Sequence, residues 1–144
     1  MGGPCGDEGS FASARARAPG GLVSKGRVLV VDDDADLREA LVDVLSVEGW
    51  SVFTAEHGQE ALDMLSSGVR PDVVLLDLMM PVMSGYELRA HQLRRPAIAD
   101  IPVVVMTAGV LDERAHALSA WACLEKPLHL EELLRVLEES GEVD

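Results

Sequence analysis

The fold of this 144-residue chain is decided by one stretch of its sequence, Val73-Val74-Leu75-Leu76-Asp77-Leu78-Met79-Met80-Pro81. The first four residues are apolar with no polar residue between them, which is typical of a strand buried on both faces at the centre of a parallel sheet. The strand ends on an acid, Asp77. Because the functional crevice of an open α/β sheet lies beyond the carboxyl ends of its strands, we expect function at Asp77.

The same alternation of buried strand and amphipathic helix continues on both sides of this stretch. The pattern predicts strands at residues 27–31, 51–55, 72–76, 101–106 and 122–125. It predicts helices at residues 35–48, 58–67 and 85–95, a weak helix at 110–120, and a last helix after Pro127. Five strands alternating with five helices predict an α/β fold with a doubly wound, five-stranded parallel sheet, because parallel neighbours need right-handed crossover helices.

The apolar spacing also predicts which face of each helix is buried. In the first helix the predicted inward residues are Leu37, Leu41, Val44 and Leu45. In the third helix they are Tyr86, Ala90 and Leu93, and in the last helix Leu130, Leu133, Leu134 and Leu137. Gly49 and Gly68 follow two of the helices and are expected to end them.

The length of the chain is that of one domain with short ends. Residues 1–25 are rich in Gly, Ala, Ser, Arg and Pro without apolar periodicity, and we expect a disordered N-terminal tail there. Residues 26–140 are predicted to form the domain, and residues 141–144 a C-terminal tail.

Composition narrows the possible partners and compartment. The net charge of −13 argues against direct nucleic-acid binding and favours cations or basic partner surfaces. No apolar run approaches the roughly 20 residues of a membrane span, and no signal peptide is evident at the start. Two cysteines in unlike contexts, Cys5 and Cys123, suit a reducing compartment. We therefore expect a cytoplasmic protein that does not bind a membrane.

Five polar residues follow the predicted strands: Asp32 and Asp33, Asp77, Thr107 and Lys126. Parallel topology brings them to one edge of the sheet. Three converging carboxylates repel each other by roughly 4 kcal/mol per close pair at an effective dielectric near 20, so the site needs a cation. Oxygen ligands without nearby Cys or His favour Mg²⁺, or Mn²⁺ as its relative. A divalent ion, a carboxylate nucleophile, a lysine and a hydroxyl together favour phosphoryl transfer.

Each of these residues, taken singly, also has a structural interpretation. Asp34, next to the first pair of acids, is expected to be the N-cap of the first helix. Asp77 alone could cap a turn, and Lys126 alone could lie in a solvated loop. Only the combination of all five at one sheet edge favours a functional site.

Residues 27 to 138 resemble the receiver domain of two-component response regulators, of the stand-alone type, which has a flavodoxin-like (βα)5 fold. The resemblance rests on these motifs: Val28-Leu29-Val30-Val31-Asp32-Asp33-Asp34, Gly58-Gln59-Glu60-Ala61-Leu62, Pro71-Asp72-Val73-Val74-Leu75-Leu76-Asp77-Leu78-Met79-Met80-Pro81, Met83-Ser84-Gly85, Ile101-Pro102-Val103-Val104-Val105-Met106-Thr107-Ala108 and Lys126-Pro127.

The resemblance implies a role for each site residue. Asp77 is the phosphoacceptor, and Asp32, Asp33, Asp77 and the backbone carbonyl of Met79 hold Mg²⁺. Lys126 pairs with the phosphoryl oxygens, and the Thr107 hydroxyl moves onto them to report the modification. No separate catalytic activity is implied beyond self-catalysed phosphoryl transfer and hydrolysis of the aspartyl phosphate.

The implied partners are proteins. A sensor histidine kinase or a histidine phosphotransfer protein supplies the phosphoryl group from phosphohistidine, and an unknown downstream effector protein receives the signal. An alternative is a receiver-shaped binding scaffold that does not respond to phosphate. A third hypothesis, a dehalogenase-type phosphatase, is disfavoured because such enzymes need a second Asp where this chain has Met79.

The sequence departs from the resemblance between Thr107 and Lys126. Receivers normally carry an aromatic residue at the position of Cys123. The segment between Thr107 and Lys126 is also shorter than usual by about three residues, close to one helical turn. We therefore expect a short or irregular fourth helix, and a phosphorylation site that is better supported than its usual readout.

Overall fold

The computed structural model describes residues 25–109 and 118–141. In chain order its elements are β1 (Gly26–Val31), α1 (Ala35–Val47), β2 (Trp50–Ala55), α2 (Gly58–Ser66), β3 (Val73–Asp77), α3 (Gly85–Leu93), β4 (Val103–Thr107), β5 (Ala122–Glu125) and α4 (Leu130–Gly141). Three predictions lie outside the described residues: the tail at 1–24, most of the weak helix at 110–120, and residues 142–144.

The five strands form one parallel sheet in the order β2-β1-β3-β4-β5. The stretch that begins at Val73 is therefore its central strand, with every residue of β3 buried. This arrangement confirms the predicted fold with its five-stranded parallel sheet. It also brings the carboxyl ends of all five strands to the same edge.

The sheet has a hydrophobic core on each face, because successive strand residues point to opposite sides. Leu76 of β3 faces one core, which contains Leu62 of α2 and Leu88 of α3. Its neighbour Leu75 faces the other core, which contains Leu41 of α1 and Leu137 of α4. The central strand is thus covered by helices on both sides, as its unbroken apolar run predicts.

The helix ends agree with the sequence signals that predict them. The Asp34 carboxylate caps α1, where its Oδ1 accepts the backbone N–H groups of Asp36 at 3.0 Å and Leu37 at 3.2 Å. Gly49 and Gly68 have φ of 101° and 111°, values that favour glycine. The predicted N-cap and the two predicted stops are confirmed.

The buried faces of the helices were predicted with mixed success. In α1, Leu41 and Leu45 are buried as predicted. In α4, Leu133 and Leu137 are buried, but Leu130 is 45% exposed at the first position of the helix.

The predicted face of α3 is only partly right: Tyr86 packs against the core, but the prediction for Leu93 is wrong. Leu93 is 49% exposed, while Arg89 and Gln92 are buried. Both polar side chains are tolerated inside because backbone carbonyls from distant segments satisfy their hydrogen bonds.

Candidate functional site

Three carboxylates converge at the carboxyl edge of the sheet. Asp32 follows β1 and is 0% exposed, Asp77 ends β3 and is 5% exposed, and Asp33 is exposed. One carboxylate oxygen from each lies within 4.8 Å of the other two. The strand order explains this convergence, since β1 and β3 are neighbours in the sheet with Val31 paired to Leu76.

The carboxylate of Asp32 is held on both sides. Its Oδ1 accepts the backbone N–H of Asp34 at 2.9 Å, and its Oδ2 accepts a hydrogen bond from Lys126 Nζ at 2.7 Å. The guanidinium of Arg38 donates to the backbone carbonyl of Asp32 at 2.7 Å. Arg38 was missed as a site residue, although its place one helical turn after Asp34 puts it on the same end of α1.

Asp77 lies in the same cluster but has weaker partners. Its Oδ1 accepts the backbone N–H of Met79 at 3.3 Å, and its Oδ2 lies 3.7 Å from Lys126 Nζ. Burial raises the pKa of the Asp77 carboxyl above its ordinary value, and the negative charges of Asp32 and Asp33 add to the increase. Lys126 and the N–H of Met79 oppose the increase without cancelling it. The site therefore resists a third negative charge unless a cation is added.

Lys126 reaches the acids because β5 ends directly before it. Its backbone N–H donates to the Thr107 carbonyl at 2.7 Å, which extends the pairing of β5 with β4 by one residue. Burial by itself would lower the pKa of Lys126, but the hydrogen bond to Asp32 and the charges of Asp32, Asp77 and Asp33 outweigh it and raise the pKa. The peptide bond from Lys126 to Pro127 is cis.

Thr107 is buried at the carboxyl end of β4, on the same edge as the acids. Its hydroxyl accepts the backbone N–H of Gly109 at 3.2 Å and lies 3.4 Å from the carbonyl of Gly109. The structure therefore brings Thr107 to the site, with its hydroxyl engaged by the following loop. Cys123, at the position where the resemblance expects an aromatic ring, is half-buried against the core that includes Leu76.

The loop after Asp77 is packed closely against the strand end. Gly85 donates its backbone N–H to the Leu78 carbonyl at 3.0 Å, and a Cβ at Gly85 would lie 2.5 Å from the Asp77 carbonyl oxygen. A Cβ at Gly58 would likewise lie 2.7 Å from the Met83 carbonyl oxygen. Both positions require glycine because the nearest atoms are backbone and cannot give way. Met79, whose carbonyl is a predicted metal ligand, is in this loop with its side chain exposed.

The donor set suits a hard divalent cation. The three clustered groups are all carboxylates, which Mg²⁺ and Mn²⁺ prefer over softer ligands. Two of these acids are buried, and the single positive charge of Lys126 cannot balance three negative charges. A divalent ion would supply the missing compensation.

A five-stranded parallel sheet that carries three acids and a lysine at its carboxyl edge defines the class of aspartate-centred receiver domains. This chain belongs to the response regulator receiver domain family, whose family model matches residues 28–138. It is a receiver domain of two-component signalling. Mg²⁺ binding is general in that family, and its members interact with histidine kinases and effectors.

The curated relatives are response regulators. The chain is 49% identical over 111 residues to the response regulator MprA of Mycolicibacterium vanbaalenii. The match covers 75% of this chain and 47% of that protein. The match to MprA of Mycobacterium avium has the same identity and coverage. The chain spans about half the length of the curated relatives it matches.

Solved structures share the fold. The Vibrio cholerae chemotaxis protein CheY4 is 30% identical, with a TM-score of 0.74 over 87% of this chain and 99% of that one. A putative response regulator from Chloroflexus aurantiacus is 27% identical, with a TM-score of 0.76 over 82% of this chain and 98% of that one. In the described part of the chain, no helix has the length and apolar character needed to cross a membrane.

Proposed function

We propose that Asp77 accepts a phosphoryl group from a phosphohistidine in a Mg²⁺-dependent reaction. The observation that carries this proposal is the convergence of the buried Asp77 with Asp32, Asp33 and Lys126 at one edge of the sheet. No single interpretation of these residues as caps or surface charges accounts for three acids and a lysine within one small site.

In the proposed step, a carboxylate oxygen of Asp77 attacks phosphorus. The new O–P bond forms as the N–P bond of phosphohistidine breaks, and its electron pair returns to the imidazole nitrogen. Asp32, Asp33, Asp77 and the carbonyl of Met79 would hold the Mg²⁺, which supplies charge neutralisation on the phosphoryl oxygens. The ammonium of Lys126 pairs with a phosphoryl oxygen, and the N–H of Met79 keeps Asp77 Oδ1 in a fixed orientation.

Further chemistry at the site is limited to the aspartyl phosphate itself. Water attack on it releases inorganic phosphate and regenerates Asp77. We propose no other catalytic activity, because the position two residues after Asp77 holds Met79 rather than a second acid. The proposed receiver unit is residues 26–140, with tails at 1–25 and 141–144, in the cytoplasm.

The phosphodonor is proposed to be a sensor histidine kinase or a histidine phosphotransfer protein. We propose that this phosphodonor docks in a groove of about 440 Å³ between α1 and α4. The groove is lined by Asp34, Leu37, Leu41, Lys126, Leu130 and Leu133. Its apolar floor suits a partner helix, and Asp34 and Lys126 connect it to the acids, so a phosphohistidine on that helix reaches Asp77.

The output is proposed to be binding of an effector protein. The net charge of −13 favours a partner with a basic surface and opposes direct contact with nucleic acid.

The acceptor site is tested with a small phosphodonor. Wild type incubated with acetyl phosphate and Mg²⁺ should gain one phosphate by intact-mass measurement, and Asp77→Asn should gain none. Asp43→Asn, an exposed acid on α1, is the matched control and should be labelled like wild type. Chelation of Mg²⁺ should abolish labelling, and Mn²⁺ should restore it. Equal labelling of wild type and Asp77→Asn would refute the assignment.

The docking groove is tested by comparing two donors. The donor protein is first identified by screening purified histidine kinases and phosphotransfer proteins for transfer to this chain. Leu130→Ser should slow transfer from the phosphohistidine of that donor, because Leu130 is exposed at the groove. The rate with acetyl phosphate should not change. If both donors were slowed equally, Leu130 would be acting on the site rather than on docking.

A further inference from the structure

Arg89 is a buried cation on the inner face of α3. The side chain is 6% exposed, and among the described residues no carboxylate lies within ion-pair distance of it. Its hydrogen bonds instead go to the backbone carbonyls of Leu118 at 3.0 Å from Nε and Ser119 at 3.1 Å from Nη2. The planar guanidinium thus donates hydrogen bonds to two successive carbonyls of a segment about 30 residues away in the chain.

Gln92, one turn further along α3, completes this arrangement. Its Oε1 accepts Arg89 Nη1 at 2.8 Å, and its Nε2 donates to the carbonyls of Ile98 at 2.8 Å and Ile101 at 3.0 Å. Ile101 leads into β4, and Ser119 leads into β5. The two side chains therefore fix the backbone just before two neighbouring strands.

The start of β5 needs such a fixed point because the strand itself has little to define its register. It is a four-residue strand at the edge of the sheet, and Leu124 is its one fully buried side chain. Registers are weakly specified where few side chains are buried. The residue just before it, Trp121, already pairs with β4, since its N–H donates to the Val103 carbonyl at 2.8 Å.

The register of β5 decides where Lys126 lies. Thr107 pairs with Glu125, and the backbone N–H of Lys126 binds the Thr107 carbonyl at 2.7 Å. A slip of one residue would move Lys126 by about 3.3 Å along the strand and turn its side chain to the other face. That displacement is comparable with the 3.7 Å between Lys126 Nζ and Asp77 Oδ2, so the contact with the acid would be lost.

Ser119 gives independent evidence that this segment is held from outside. Its φ is +55°, a left-handed conformation that non-glycine residues rarely adopt without support. The hydrogen bond from Arg89 to the Ser119 carbonyl provides such support.

We propose that Arg89 is a positioning residue that fixes the register of β5 on β4 and thereby holds Lys126 at Asp32 and Asp77. The inference deepens the proposed function and rests on it, since it assigns Arg89 a part in preparing the phosphoacceptor site. Arg89 acts at a distance through the β5 backbone and does not touch the acids.

The test compares two substitutions with a matched control. Arg89→Met keeps much of the length of the side chain and removes every hydrogen-bond donor. Arg89→Lys keeps the positive charge but loses the planar guanidinium that reaches both carbonyls at once. Arg94→Met, at the exposed end of the same helix, is the control. The measurements are the rate constant for labelling of Asp77 by acetyl phosphate at saturating Mg²⁺, the Mg²⁺ dissociation constant, and hydrogen exchange at the Lys126 amide.

We expect Arg89→Met to lower the labelling rate constant at least tenfold and to speed exchange at the Lys126 amide, with β3 amides unchanged. The Mg²⁺ dissociation constant should not rise, because the acids follow β1 and β3 and losing the Lys126 contact only removes a competing cation from Asp32. Arg89→Lys should have a smaller effect in the same direction, and Arg94→Met none. Adding Ser119→Gly to Arg89→Met should restore part of the rate, because glycine adopts a positive φ without strain.

Two results would overturn the proposal. One is a wild-type labelling rate and wild-type Lys126 exchange in Arg89→Met. The other is a general loss in Arg89→Met, in which Mg²⁺ affinity, labelling and hydrogen-exchange protection of β3 fall together. If Arg89→Met does not fold, the same general loss in Arg89→Lys would overturn the proposal. If wild type itself were not labelled at Asp77, the proposed function would fail, and exchange at Lys126 would still decide whether Arg89 sets the register.

Discussion

Lys126 Nζ lies 2.7 Å from Asp32 Oδ2 and 3.7 Å from Asp77 Oδ2, so the lysine pairs first with the acid that follows β1. Asp32 is the more deeply buried of the two acids and has the greater need of a partner, because an uncompensated buried charge is strongly destabilising. Asp32 is also one of the three acids whose carboxylate oxygens lie close enough to hold a metal ion. We therefore expect Lys126 and a divalent cation to compete for Asp32.

This competition makes Lys126→Met informative. Loss of the ammonium should tighten Mg²⁺ binding by about fivefold, corresponding to about 1 kcal/mol. It should also slow labelling of Asp77 by about 100-fold, because a preorganised donor to the phosphoryl oxygens is lost. Isothermal titration with Mg²⁺ and intact-mass kinetics measure the two effects. Lys25→Met, which removes a surface ion pair to Glu138, should change neither, and weaker Mg²⁺ binding in Lys126→Met would contradict the competition.

The raised pKa of Asp77 predicts a pH-dependent stability of the protein in a chelator. The folded state keeps the Asp77 proton at pH values where the unfolded chain has lost it, so stability due to this group falls as pH rises from the unfolded pKa through the higher folded pKa. Asp77→Asn cannot lose a proton and should be more stable than wild type at neutral pH, with the difference vanishing in acid. Urea unfolding in EDTA across this range measures the difference. A difference independent of pH would contradict the argument.

Gly85→Ala should damage the site through the backbone. The added Cβ would lie 2.5 Å from the Asp77 carbonyl oxygen and 2.8 Å from Leu78 Cα, atoms that cannot move without shifting Asp77, the proposed phosphoacceptor. We expect a loss of about 1–3 kcal/mol in the free energy of unfolding and slower labelling of Asp77. Gly109→Ala is the control, because no atom of the residues that the structure describes lies within 4 Å of a Cβ there. Similar losses in both variants would argue against a special role for Gly85.

Thr107→Val separates transfer from readout. The Thr107 hydroxyl binds the N–H of Gly109, so its loss should cost at most about 1 kcal/mol of stability. The labelling rate should stay within a few-fold of wild type, while the change in the Gly109 amide resonance on adding a beryllofluoride mimic should disappear. Thr107→Ser should behave like wild type. If wild type itself showed no change at Gly109, the phosphate-insensitive scaffold would become the better interpretation.

The central strand and its acid could be predicted from the sequence because each depends on local pattern. An unbroken apolar run such as Val73 to Leu76 can only be covered on both faces, and parallel topology then brings Asp32 and Asp77 to one edge. Cap residues such as Asp34 are equally local, since their partners are the next few backbone N–H groups.

The face of α3 could not be predicted in the same way. Arg89 and Gln92 are polar, and their burial depends on carbonyls at Ile98, Leu118 and Ser119 that no local pattern connects to them. Apolar spacing therefore favoured Leu93, which is about half exposed to solvent.

The sequence by itself determined a doubly wound parallel sheet and the set of residues at its carboxyl edge, because burial and strand direction follow from periodicity. Only the tertiary structure decided which of those residues pair: Lys126 bonds to Asp32, 94 residues away in the chain, and lies farther from Asp77. It also gave Arg89 its place beneath the start of β5. Such pairings depend on how closely elements far apart in the chain approach one another, and only the packed fold fixes those distances.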